Sequence, residues 1–351
     1  MFIFNKISSQ EKVDFTKNLA VMLKSGITIN EALASLADQT KSGAFKKIIY
    51  KVKSELEMGT SLSESFAKEE KTFGKVFISL LKAGEASGTL EENLSFLADW
   101  LERNNDLRQE INAAMLYPKF VLAATFLLGG GLSVYILPNL VPLFDQLRVE
   151  LPLPTKILLA FSLFISKFWS LVLIGIVGLI IAFILLNRLT SIRRFFHLFY
   201  IQMPFIGGLM TDYQIALISQ LFFTLFKSGL SISETLGITG EAATNIHYQE
   251  SIEKIKNRVG RGTTFSQALQ DYPKLYPKNF INIVATGEKS GTLDTSFGYL
   301  SEFYSKEVRN KTKKLPTIIE PALLVFIALM DGFVALSIIM PIYDLTSGLS
   351  R

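Results

Sequence analysis

The 351-residue chain contains no cysteine and only two histidines, and its charge is nowhere gathered into a long block of one sign. The lack of cysteine excludes a disulfide scaffold, thiolate zinc sites and cysteine nucleophiles. It suits a chain whose bulk faces a reducing compartment. The histidines, His197 and His247, stand apart and outside any H-E-x-x-H context, so they read as surface or packing residues. No G-x-x-x-x-G-K-[ST] loop occurs, because the glycine triplet Gly129–Gly131 has no lysine beside it. The net charge of +5 is spread over mixed-sign segments, which gives no footing for nucleic acid. Carboxylate pairs such as Glu69–Glu70 and Glu91–Glu92 fall on charged faces and read as solvated surface. No catalytic residue, cofactor or metal site is therefore expected.

What is present is apolar. Hydrophobic residues make up 49% of the chain and aromatics 12%. Three stretches are nearly free of charge: Phe120–Leu137, Phe168–Leu186 and Pro321–Tyr343, the last interrupted by Asp331. At 1.5 Å per residue, eighteen or nineteen residues reach roughly 27–29 Å, about the hydrocarbon thickness of a bilayer. The flanks orient them. Lys119, Arg188, Arg193, Arg194, Lys311, Lys313 and Lys314 lie on one side, whereas residues 138–167 carry only Arg148, Lys156 and Lys167, and the tail only Arg351. By the positive-inside rule, the N-terminus is cytoplasmic and the C-terminus extracytoplasmic. No apolar run before Phe120 has the form of a secretory leader.

The chain also repeats itself at an offset of 203 residues, position 227 answering to position 24. K-S-G-I-T-I-N-E-A-L (24–33) returns as K-S-G-L-S-I-S-E-T-L (227–236), and G-E-A-S-G-T-L (84–90) as G-E-K-S-G-T-L (287–293). G-T-S-L-S (59–63) returns as G-T-T-F-S (262–266), Pro118 as Pro321, and Pro138 as Pro341. Within each copy the apolar spacing is helical, as at Phe15, Leu19, Met22 and Leu23. Capping boxes are expected at Thr28 with Glu31, Ser61 with Glu64, Ser231 with Glu234 and Thr264 with Gln267.

The expected organisation is an all-α membrane protein with two homologous cytoplasmic bundles of about six helices each and three transmembrane helices. Residues 1–118 form the first bundle, 119–137 the first span, 138–167 an extracytoplasmic connection and 168–186 the second span. Residues 187–320 form the second bundle, 321–343 the third span and 344–351 an extracytoplasmic tail. Pro118 and Pro321 are expected to kink or break the helix that enters each repeated span.

Candidate partner-contact or hinge residues fall at the repeated positions: Gly26 and Gly229, Gly84 and Gly287, Glu85 and Glu288, Gly88 and Gly291, Pro118 and Pro321. The glycine–glutamate turns read first as caps and tight turns, and second as a repeated surface for a partner. Asp331 is a candidate intramembrane polar contact. A mid-span carboxylate costs a few kcal/mol unless a partner, water or the protein interior receives it.

The order of these motifs, with Y-P (117–118), L-P-N-L-V-P-L-F (137–144), E-L-P-L-P-T (150–155), M-P-F-I-G-G-L (203–209), I-E-P (319–321) and I-M-P-I-Y (339–343), resembles the inner-membrane platform proteins of type IV pili and type II secretion, the PilC/GspF family. That resemblance implies a non-enzymatic scaffold of the inner membrane that forms homo-oligomers. It further implies contacts with a hexameric assembly ATPase and with pilin or pseudopilin subunits, whose extraction from the bilayer the scaffold couples to the ATPase. The alternative is an oligomeric transporter or channel subunit that uses Asp331.

Overall fold

The computed structural model describes residues 7–135, 153–186, 189–203 and 206–348, and all the secondary structure it describes is helical. Two compact units emerge: residues 1–110 with 194–310, and residues 111–193 with 311–351.

The first unit holds the bundle of each copy of the repeat, and the second the apolar helical segment that follows each bundle. In the first copy the helices are α1 (Ser9–Lys24), α2 (Ile29–Gln39), α3 (Gly43–Glu57), α4 (Leu62–Ala67), α5 (Glu70–Phe73), α6 (Lys75–Ser87) and α7 (Leu90–Ala114). Next come α8 (Leu116–Tyr135), α9 (Leu153–Lys167), α10 (Trp169–Leu186) and α11 (Thr190–Gln202). The second copy comprises α12 (Ile206–Lys227), α13 (Ile232–Ala242), α14 (Ile246–Val259), α15 (Phe265–Leu269), α16 (Lys278–Ser290) and α17 (Leu293–Gly348). Shifted by 203 residues, α2 and α6 coincide with α13 and α16 at both ends, and α7 and α17 start in register.

These boundaries follow local chemistry. At α1, α2 and α13 the cap hydroxyls of Ser8, Thr28 and Ser231 accept from the third helical amide, while Glu11, Glu31 and Glu234 return the bond. The other two expected boxes are corrected. Ser61 accepts from the Glu64 amide without a reciprocal bond, and Thr264 makes no side-chain cap at all. In both cases a carboxylate from a distant helix takes the first two amides, as described below.

The cores share a frame but not a filling. Phe45, Phe73 and Phe77 of the first bundle answer to Tyr248, Tyr276 and Phe280 of the second, and all six are buried. Elsewhere the aromatic volume moves. The first bundle uses Phe15 and Phe66, whereas the second places Phe222, Phe265 and Phe297 where the first has Leu19, Leu62 and Leu94. The Phe222 and Phe297 rings stack at 4.5 Å, and Phe66 meets Phe73 edge-on at 4.7 Å. Total apolar volume and pattern are kept while individual positions exchange, the substitution that cores tolerate best.

Among the described residues, three helical stretches are long and apolar enough to cross a bilayer: Leu90–Gly131, Ile206–Lys227 and Leu293–Ser337. The middle one is not a span. In its most apolar eighteen residues 78% are buried inside the protein, and its Leu221 and Leu225 belong to the core of the first bundle. In the most apolar eighteen residues of each of the other two, only 6% are buried. α9 and α10 form a pair bent by 83° that is long and apolar enough when taken together.

In the second unit, Phe126 of α8 lies 6.1 Å from Phe326 of α17. Residues 138–167, read from the sequence as a connection, include α9, and this helix packs on its neighbours. Thr155 Oγ1 donates to the Ser337 carbonyl at 2.8 Å, and Leu158 is buried. The packed face of α9 is Thr155, Leu158 and Ser162, at i, i+3 and i+7, whereas Leu153, Ile157 and Phe161 are exposed. Residues 138–152, Pro138 among them, lie outside the described residues. Leu127, Leu179 and Leu329 are among the exposed apolar side chains of α8, α10 and α17. Such continuous exposure is stable against lipid and unfavourable against water.

Candidate functional site

The two glycine–glutamate turns are built alike. Gly84 and Gly287 sit where the following helix passes closest. A Cβ on Gly84 would fall 2.9 Å from Leu90 Cα, and one on Gly287 would fall 2.8 Å from Ser296 Cβ. No larger residue fits without displacing α7 or α17. Gly88 and Gly291 end α6 and α16 in the left-handed region, at φ +73° and +71°, where a Cβ is strained. The amides of Thr89 and Thr292 then bond back to the Gly84 and Gly287 carbonyls at 2.9 and 2.8 Å. Ser87 with Thr89, and Ser290 with Thr292, close each turn through a hydroxyl pair at 2.6 Å.

Glu85 and Glu288 point back across the bundle. Glu85 accepts from the Leu62 and Ser63 amides at 2.5 and 3.1 Å. Glu288 accepts from the Phe265 and Ser266 amides at 2.6 and 2.9 Å, and from Ser266 Oγ at 2.6 Å. Each carboxylate thus satisfies two orphan amides at the N-terminus of α4 or α15, where the helix dipole also favours an anion. Each turn locks three helices together. The carboxylates are turned inward, onto these amides.

The other singled-out residues are spread along the chain. Gly26 and Gly229 end α1 and α12 at φ +81° and +77°. Pro118 falls in the first turn of α8. Having no N–H, it leaves the Ala114 carbonyl without its helical donor, and α7 and α8 separate at Met115 alone. Helical bonds resume on either side, Met115 to Ile111 at 3.2 Å and Lys119 to Met115 at 3.3 Å. At Pro321, where a kink or break is expected, there is no break: α17 is one helix through it. A helix loses one hydrogen bond there, to the Thr317 carbonyl, and the flanking turns carry it across. Asp331 is exposed on α17 and has no hydrogen-bond or ion partner among the described residues.

Sequence reading missed the contact between the bundles. Lys75 at the start of α6 pairs with Glu241 on α13 at 2.8 Å. That hydrogen bond holds the Lys75 ammonium above its ordinary range. The pair sits beside a cleft of about 760 Å³ lined by Glu70, Trp100, Gly237, Glu253 and Lys256. Arg309 of α17 reaches Glu110 of α7 at 3.1 Å. His197, isolated in sequence, also has a structural role, since its Nδ1 accepts from the Ile246 amide at 3.0 Å and caps α14. Among the described residues no three His, Asp or Glu side chains converge on a metal position. The repeated chemistry on view ties helices together and presents charged faces.

The family model described as type II secretion system (T2SS), protein F matches the chain twice, over residues 15–138 and 218–341. Both windows respect the 203-residue offset. The chain is 32% identical over 340 residues to a type IV pilus assembly protein PilC of Thermus thermophilus, covering 96% of this chain and 82% of the relative. It is 26% identical over 350 residues to a protein of the same description from Myxococcus xanthus, covering 99% and 83%. It is 29% identical over 345 residues to a type II secretion system protein F of Aeromonas hydrophila, covering 97% and 87%.

Proposed function

Since the chain belongs to the family of type II secretion system protein F, we propose that it is the inner-membrane platform of a filament-assembling machine, coupling a cytoplasmic hexameric ATPase to the lifting of pilin or pseudopilin subunits out of the bilayer. The observation that carries this reading is the duplication of a bundle together with the apolar helix that follows it. In the first copy the helix breaks for one residue, Met115, and in the second α17 continues for 56 residues. No flexible linker intervenes at either place, so displacement of a bundle reaches a span directly.

In this reading the bundles are cytoplasmic, as the basic flanks require, and several copies assemble. The chain supplies surfaces and leverage, and its partner supplies the nucleotide chemistry. Gly26, Gly229 and the two turns shape those surfaces, and Asp331 is a polar contact within the assembly. The test is deletion of the gene, with a count of surface filaments and of secreted protein. Loss of filaments or of secreted protein, restored by the intact gene, is expected; normal filaments and normal secretion together would overturn the platform role. Asp331→Asn in the same assay separates the transporter alternative. Near-normal filaments fit a structural contact, whereas lost assembly with an intact oligomer points to a proton route.

A further inference from the structure

The two bundles of one chain do not meet through equivalent faces. The first presents the start of α6 with Lys75, and the second presents α13 with Glu241. By the 203-residue repeat, Lys75 corresponds to Lys278 at the start of α16, and Glu241 corresponds to Asp38 on α2. The sign of charge is kept at both positions. A two-fold contact would have set Lys278 against Asp38 in the same chain. Instead, Asp38 accepts from Tyr50 Oη at 2.8 Å and from Lys46 at 3.1 Å within its own bundle, with its side chain still 67% exposed. Lys278 is exposed and makes no ion pair among the described residues. The contact is heterologous, head to tail, and leaves one face of each kind unfilled.

We propose that a second copy of this chain fills them, the α16 face of one molecule docking on the α2 face of the next so that Lys278 meets Asp38 as Lys75 meets Glu241 within the chain. This rests on the self-association of the proposed platform and supplies its surface. The exposed side of α16 carries Lys278, Asn279, Asn282 and Lys289 and no acid, while the opposing α2 presents Glu31 and Asp38. The intermolecular version is the weaker one. Leu221, Ile238 and Ala242, which pack the second bundle against the core of the first, are replaced at the equivalent positions by Asn18, Ser35 and Gln39. A polar face of this kind is stable in water when free, and its docking is led by charge and reversible. Repeated head to tail by copies anchored in one membrane, such a contact closes into a ring when its rotation allows.

Because the chain lacks cysteine, the test is direct. Full-length copies bearing Asp38→Cys under one tag and Lys278→Cys under another are co-expressed, and a short bis-maleimide is added in membranes. The mixed 38–278 product is expected to exceed the 38–38 and 278–278 products several-fold. Lys75→Cys with Glu241→Cys in a single chain is the control and should cross-link without forming a dimer. With cysteines moved to Gln39 and Asn279, Asp38→Lys should lower the mixed product roughly two- to five-fold, and adding Lys278→Glu should restore it. Dominant like-with-like products would overturn the head-to-tail contact. An oligomer by light scattering without the mixed product would overturn this surface while sparing self-association; a monomer would overturn self-association itself.

Discussion

Glu85 and Glu288 show how much a single carboxylate can hold. Each satisfies two backbone amides of a helix more than twenty residues away in sequence, at 2.5–3.1 Å. Removing an acceptor strands partly buried donors, an effect of about 1–3 kcal/mol. Glu85→Ala and Glu288→Ala should therefore each lower stability by about that amount, measured as a shift in the thermal midpoint. Faster amide exchange at Leu62 and Ser63, or at Phe265 and Ser266, should accompany it. Glu85→Gln keeps an acceptor and should lose less. Exchange unchanged at those four amides in the alanine variants would remove the capping account. The adjoining glycines are explained by a close approach at Gly84 and Gly287 and by left-handed backbone at Gly88 and Gly291.

Between elements, the same template is filled differently in its two copies, and one difference has a pH signature. The second bundle buries Tyr248 and Tyr276 where the first has Phe45 and Phe73. Tyr248 Oη donates to the Leu275 carbonyl at 2.8 Å, and Tyr276 Oη pairs with Ser251 at 2.9 Å. Burial pushes both phenols up, and burial followed by the nearby Asp212 pushes Tyr304 up to about 12. Unfolded tyrosine ionises near pH ~10. Above that pH the unfolded chain has released protons that the folded one retains, so stability is full below pH ~10 and falls as pH rises toward ~12. Tyr276→Phe should shallow this alkaline decline, read from melting curves taken between pH ~9 and ~11.5. Ser251 keeps its bond to the Tyr248 carbonyl in that variant. An unchanged slope would dismiss the buried phenol as a contributor.

At the scale of the whole molecule, the basic flanks predict that both bundles lie on the cytoplasmic side. Gln146→Cys should react with an impermeant maleimide from outside, and Asn257→Cys only after permeabilisation. Asn257 is exposed, whereas Asn105 on α7 is buried against Gln10 and would be a poor reporter. The reverse labelling pattern would invert the topology. The heterologous pairing of the bundles belongs to this scale too, since it distinguishes two faces that the repeat alone makes equivalent.

The sequence by itself determined the duplication, the helical character, most helix starts and the apolar segments. Each of these rests on interactions within about four residues, or on hydrophobicity summed along one helix, and both are written in order along the chain. The capping boxes at Thr28 and Ser231 were legible for that reason. Tertiary structure alone decided where Glu85 and Glu288 point, that Thr264 is left uncapped by its own hydroxyl, and that His197 caps α14. It also decided that Ile206–Lys227 lies inside the protein, that α9 packs beside its neighbours, and that Lys75 meets Glu241 while Lys278 and Asp38 do not meet. Those outcomes depend on which surfaces come together across long stretches of chain. A local pattern states which groups need partners and is silent on which distant group provides them.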